Sequence, residues 1–119
     1  MAKWQNDAML DLALDYVAGA TEMYVCTGQP TDRANAILLA LTGAAVPTFQ
    51  ANANGDVSGR KRAVDAEADI PITASGDATH IALCDGTTLR YVTTCTLQTL
   101  GSGGTVTVPT WDVEIADAT

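Results

Sequence analysis

His80-Ile-Ala-Leu-Cys84-Asp85-Gly86-Thr87-Thr-Leu-Arg-Tyr-Val-Thr-Thr-Cys95 is the stretch whose reading decides the fold. Two runs of strand-forming residues flank Asp85-Gly86, a pair suited to a two-residue type I′ turn, in which both central positions take positive φ. The spacing predicts a β-hairpin. Around it, from Ser75 to Ala116, strand-like segments are separated by turns at Ser75-Gly76 and Gly101-Ser-Gly-Gly104. Further strands are expected from Ile70 to Ala74 and from Thr105 to Ile115. Such spacing predicts a mainly β fold, an antiparallel β-sandwich or jelly-roll-like module. The last strand changes phase: Val106 and Val108 share one face, whereas beyond Pro109 the apolar set is Trp111, Val113 and Ile115. A proline at that break predicts a bend at which the chain crosses from one sheet to the other.

Upstream, an N-terminal amphipathic α-helix is expected over residues 7–18, capped by Asn6 or Asp7 and ended by Gly19 in a left-handed conformation. Met9, Leu12, Ala13, Tyr16 and Val17 form its expected apolar stripe, with Asp7, Asp11 and Asp15 one turn apart on another face. A first strand follows from Glu22 to Thr27. A second short helix is expected from Asp32 to Leu41, with Ala34, Ile37, Leu38 and Leu41 inward. Asn52-Ala-Asn54-Gly55-Asp56 reads as a turn, since these residues tolerate positive φ. Arg60-Lys61-Arg62 then holds half of the six basic residues of the chain. In a strand Arg60 and Arg62 share one side and Lys61 takes the other. The cluster reads either as a solvated edge that discourages sheet association or as a dock for an acidic neighbour, including the acidic helix face of another copy.

At 119 residues the chain reads as a single domain, 1–119, with residues 1–7 as an N-terminal arm and a β-rich body over 22–116. Hydrophobic residues make up 47% but aromatics only 5%, so the core must come from Ala, Val, Leu and Ile in thin layers. The net charge of −8 repels a phosphate backbone and argues against nucleic acid as a partner. No apolar run has the length to span a bilayer, and Asp11 and Asp15 interrupt the only segment resembling a signal peptide, so synthesis and assembly in the cytoplasm of the producing cell are expected. Cys26, Cys84 and Cys95 are odd in number and lack metal-ligand spacing; reduced, buried thiols are expected.

Catalysis would have to use the one histidine, His80. Cys84 lies on the same face but ~13 Å along the strand, too far for a dyad, and only Cys95 on the partner strand offers a diagonal neighbour. Gly101 to Gly104 lacks the Lys-Ser/Thr of a phosphate loop. No catalytic, cofactor or metal residues are expected. A small hydrolase or sugar-binding module is the remote alternative, lacking the paired acids such chemistry uses.

Met1-Ala-Lys-Trp4-Gln-Asn6-Asp7, Met23-Tyr-Val-Cys26-Thr-Gly-Gln-Pro30, Asn54-Gly-Asp-Val-Ser-Gly-Arg60-Lys61, Ser75-Gly-Asp-Ala-Thr-His80-Ile-Ala-Leu83 and Val108-Pro-Thr-Trp111-Asp-Val-Glu-Ile-Ala-Asp117 together resemble small tailed-bacteriophage virion structural proteins. The resemblance runs over nearly the whole chain. It implies a β-sandwich module displayed on a virion, most of all a capsid decoration (cement) protein on the outer shell, commonly a homotrimer, whose partner is the major capsid protein or another virion protein. A tail- or fibre-associated component is the alternative. Under this reading Trp4, Asp7, Asp11, Asp15, Arg60, Lys61 and Arg62 are the expected interface residues. Trp4 precedes the periodic core pattern and suits an anchor on a neighbour, whereas Trp111 alternates with Val113 and Ile115 and suits a core.

Overall fold

Strand pairing in the computed structural model, which describes residues 7–55 and 59–115, follows the hairpin reading. In chain order the elements are α1 (Asp7–Ala18), β1 (Glu22–Cys26), α2 (Arg33–Leu39), β2 (Phe49–Asn54), β3 (Arg60–Val64), β4 (Glu67–Pro71), β5 (Gly76–Cys84), β6 (Leu89–Leu100), β7 (Thr105–Val108) and β8 (Trp111–Ile115). They form three sheets among the described residues, with strand orders β1-β5-β6, β2-β3-β8 and β4-β7, all antiparallel. The fold is mainly β and sandwich-like. It is elongated, 50 × 25 × 25 Å. The expected N-terminal arm with Trp4 lies outside the described residues.

Both faces of the first sheet are covered, which explains why β1 and β5 lack clean alternation. The cross-strand rows Met23–Leu83–Tyr91 and Val25–Ile81–Thr93 share one face. That face packs with Leu14 and Val17 of α1 and with Val64 and Val113 of the second sheet. The opposite face carries Tyr24, Cys26, Ala82 and Cys84, a thin layer closed by Ala36 and Leu39 of α2. Ala36 is what lets the helix come close: Cys26 Sγ lies 3.6 Å from its carbonyl oxygen. The outer edge of β1 is taken by the chain after α2, through Thr27 N to Leu39 O (3.0 Å), Leu41 N to Val25 O (2.8 Å) and Met23 N to Ala45 O (2.7 Å). As the phase change at Pro109 predicts, β7 pairs with β4 and β8 pairs with β3, so the chain changes sheet there.

Four local expectations are corrected. The hairpin loop is not type I′: positive φ among the described residues occurs only at Asp69, Gly59 and Gly103. Cys84 pairs with Leu89, leaving a four-residue loop closed by the Asp85 carboxylate, whose Oδ1 accepts from Thr87 N (2.7 Å) and Thr88 N (2.6 Å). Gly19 is not left-handed either. A Cβ there would meet Arg90 Nη1 at 2.5 Å, a guanidinium that bonds the Tyr16 carbonyl and lies 4.3 Å over the Tyr16 ring. Asn52 and Asn54 belong to β2 rather than to a turn.

The fourth correction concerns the rotation of both helices. Leu10, Leu14 and Val17 of α1 are buried, whereas Met9, Leu12 and Tyr16 are 56%, 70% and 52% exposed. In α2, capped by Asp32 through Asn35 N (2.7 Å), Ala36 is buried while Leu38 is 80% exposed. Ion pairs fasten both helices in these rotations. Arg33 holds Glu22 of β1 at 2.9 Å, and α1 is held by the cluster described next.

Candidate functional site

Asp11 and Asp15 lie one helical turn apart, a rise of about 6.0 Å. Arg60 and Arg62 lie two residues apart on β3, a rise of about 6.7 Å. The near match lets one helix face lie along one strand face, each acid opposite an arginine. Arg60 Nε donates to Asp11 Oδ1 (2.9 Å) and its Nη2 to Asp11 Oδ2 (3.4 Å), a forked pair, while Nη1 donates to Asn54 Oδ1 (2.8 Å). Arg62 Nη1 donates to Asp15 Oδ1 (2.9 Å) and to Asn52 Oδ1 (3.4 Å), and Asn52 Nδ2 donates to Asp15 Oδ1 (3.1 Å). Register makes this repeat: Asn52 is opposite Arg62 and Asn54 opposite Arg60 in the β2–β3 pair. The Arg62 guanidinium carbon lies 6.0 Å from the centre of the Phe49 ring, and its Nε is buried with no hydrogen-bond partner.

The structure thus brings Asp11, Asp15, Arg60 and Arg62 together within one chain, where the sequence reading supplies carboxylates from a neighbouring copy. Lys61 points to the other face and meets Asp112 at 3.5 Å. Asp7 opens α1, and its side chain is outside the description, as is Trp4. Asn52 and Asn54 are the members that sequence reasoning missed. Their signal was the two-residue spacing shared with Arg60 and Arg62, hidden by asparagine's preference for turns. Chemically, the seam is a fastening: its carboxylates accept from guanidinium and amide groups. Its consequence is geometric, since it turns Leu10 and Leu14 into the core and Met9, Leu12 and Tyr16 outward.

A second feature is a cleft of about 470 Å³ between β6 and the β7–β8 segment, lined by Ile81, Thr93, Cys95, Val106, Val108 and Trp111 among others. Trp111 stacks on Tyr91, ring centres 6.2 Å apart at 22°, and its Nε1 is buried without a hydrogen-bond partner. Cys95 packs toward this inner core, whereas His80 shares the opposite sheet face with Ala82 and Cys84 and bonds Thr79 Oγ1 through Nδ1 (2.8 Å). The two residues therefore form no dyad. Burial pushes all three thiols up, Cys26 to about 12. Among the described residues no group of three or more His, Cys, Asp or Glu could hold a metal ion, and no helix is long and apolar enough to cross a membrane.

No family model, curated protein or solved structure matches this chain.

Proposed function

We propose that this chain is a structural component of a tailed-bacteriophage particle, a capsid decoration (cement) protein that binds the outer shell as a homo-oligomer and works by adhesion rather than catalysis. The observation that carries the reading is the outward face of α1. A helix pinned by two arginine–aspartate pairs presents Met9, Leu12 and Tyr16 at i, i+3 and i+7 to solvent, an apolar stripe of the kind that marks protein-binding surfaces. The seam makes that presentation rigid, which lowers the ordering cost of binding. The bacteriophage resemblance supplies the partner class, the shell protein.

The test is co-sedimentation with particles lacking the protein. Leu12→Glu should melt like the parent, because the side chain is exposed, yet lose particle binding. Trp4→Ala should do the same if the N-terminal arm is the second anchor. Copy number places the protein: hundreds per particle fit the shell, whereas a handful fit the tail- or fibre-associated alternative. Full binding by both variants would sink the adhesion reading.

A further inference from the structure

The longest strand among the described residues is also the least protected. β6 runs for twelve residues and pairs only with β5, so the backbone groups on its other side have no strand beside them among the described residues. From Tyr91 to Leu100 the strand reads Tyr-Val-Thr-Thr-Cys-Thr-Leu-Gln-Thr-Leu, ten residues without a charge, a proline or a glycine, in a chain of net charge −8. Natural sheet edges are normally blunted by charge, proline, short length, a covering segment or a bulge. Three of the other edges use charge, proline or a covering segment. The edge of β1 is covered by residues 39–45, β8 carries Asp112 and Glu114, and β4 carries Pro71 and a positive φ at Asp69. β6 has Arg90 and a register shift at its start, where Tyr91 pairs with Leu83 and Leu89 with Cys84, and from Tyr91 on only a bulge, where the four-residue step from Thr94 to Gln98 spans the two-residue step from Ala78 to His80. Beside the bulge, Leu97 is 62% exposed.

We infer that the open edge of β6 is a docking surface for β6 of a second copy of this chain, the two strands pairing antiparallel about a two-fold axis. Charge selects that occupant. Two acidic bodies repel at long range whichever faces meet, but two uncharged strands of high β-propensity add no like-charge contact at the interface itself, as most other faces would. A two-fold axis also makes the pairing antiparallel automatically and self-complementary, continuing the sheet as β1-β5-β6-β6-β5-β1. The added strand would extend the sheet face that carries Tyr91, Thr93 and Cys95, and its side chains would cover the mouth of the adjoining cleft. That is the arrangement of strand addition, in which the backbone provides adhesion and alternate side chains fill the groove.

This deepens the homo-oligomer part of the proposed function and replaces the three-fold arrangement implied by the resemblance with a two-fold contact. Sedimentation equilibrium of the full chain over a concentration series should show a monomer–dimer equilibrium. The double substitution Thr94→Lys/Thr96→Lys places four cations across the axis of a dimer at exposed positions and should leave a monomer with the parent's melting temperature. Leu38→Lys, on α2, should still dimerise. Hydrogen exchange on the unmodified protein gives an arm independent of folding: amides of residues 91–99 should gain protection as concentration rises. A parent that is monomeric throughout, a trimer, dimers that survive the lysine pair, or protection in 91–99 independent of concentration would each overturn the inference. An unmodified protein that dimerises but does not bind particles lacking it would sink the shell reading and leave this one standing.

Discussion

Asp85 shows how a single carboxylate can replace a backbone preference. The Asp-Gly pair reads as a turn that needs positive φ, but the side chain offers a stronger alternative by accepting two backbone N–H groups, with Arg90 Nε at 2.9 Å on its other oxygen. Those backbone bonds, then the arginine, hold its carboxyl down at about 2, against 3.8 ordinarily. A depressed folded value means that Asp85 contributes stability above the unfolded value and loses it as pH falls through about 2. Thermal melts between those two values should therefore show Asp85→Ala losing less stability on acidification than the parent; equal slopes would contradict it. The thiols have the opposite sign. Burial raises Cys26 from 9.0 to about 12, so its contribution is present below pH 9.0 and fades as pH rises toward that folded value. With Cys26 and Cys84 buried and Cys95 half-buried, a thiol reagent at neutral pH should label Cys95 first. Rapid labelling of Cys26 in the native protein would show that the layer under α2 opens.

Among the elements, the β5–β6 hairpin was legible because two strand-forming runs flank the Asp85-Gly86 break, and the sheet change at Pro109 because it rests on a period of two, which register cannot slip without turning every side chain over. Helix rotation was not legible. In α1 two apolar stripes compete: Met9, Leu12, Tyr16 and Leu10, Leu14, Val17. Nothing local ranks them. The choice is made by Asp11 and Asp15, whose spacing matches that of Arg60 and Arg62 some fifty residues away. The same acids that read as a solvated face are the reason for the outcome, and half of the candidate site was visible only as charges without partners. Arg60 should then be coupled to Asp11. A double-mutant cycle with Arg60→Ala and Asp11→Ala should return about 1 kcal/mol of interaction, above the usual surface pair because the geometry is forked and both side chains are partly covered. Arg62 and Asp15 should return less, since Asp15 is the more exposed acid. Chemical denaturation measures both, and a coupling near zero for Arg60 and Asp11 would mean that core contacts alone set the rotation of α1.

For the molecule as a whole, the sign of the salt response separates two ways in which an acidic protein can associate with itself. If neighbours were joined by Arg60 or Arg62 reaching carboxylates of another copy, added salt would weaken assembly by screening the attraction. In the structure those arginines bond Asp11 and Asp15 of their own chain, and the edge available for pairing is uncharged, so what salt screens is the mutual repulsion of two bodies of charge −8. Association should therefore tighten as ionic strength rises from about 0.01 M to about 0.1 M, across which the screening length falls from about 30 Å to about 10 Å. The intramolecular seam is short-ranged and partly covered, so the fold should change little over the same range. Sedimentation equilibrium at several salt concentrations reads the first effect, and melting temperature the second. Dimers that loosen with salt would return the arginine cluster to the interface and put the seam between copies; dimers that tighten while the melting temperature holds place the contact on β6.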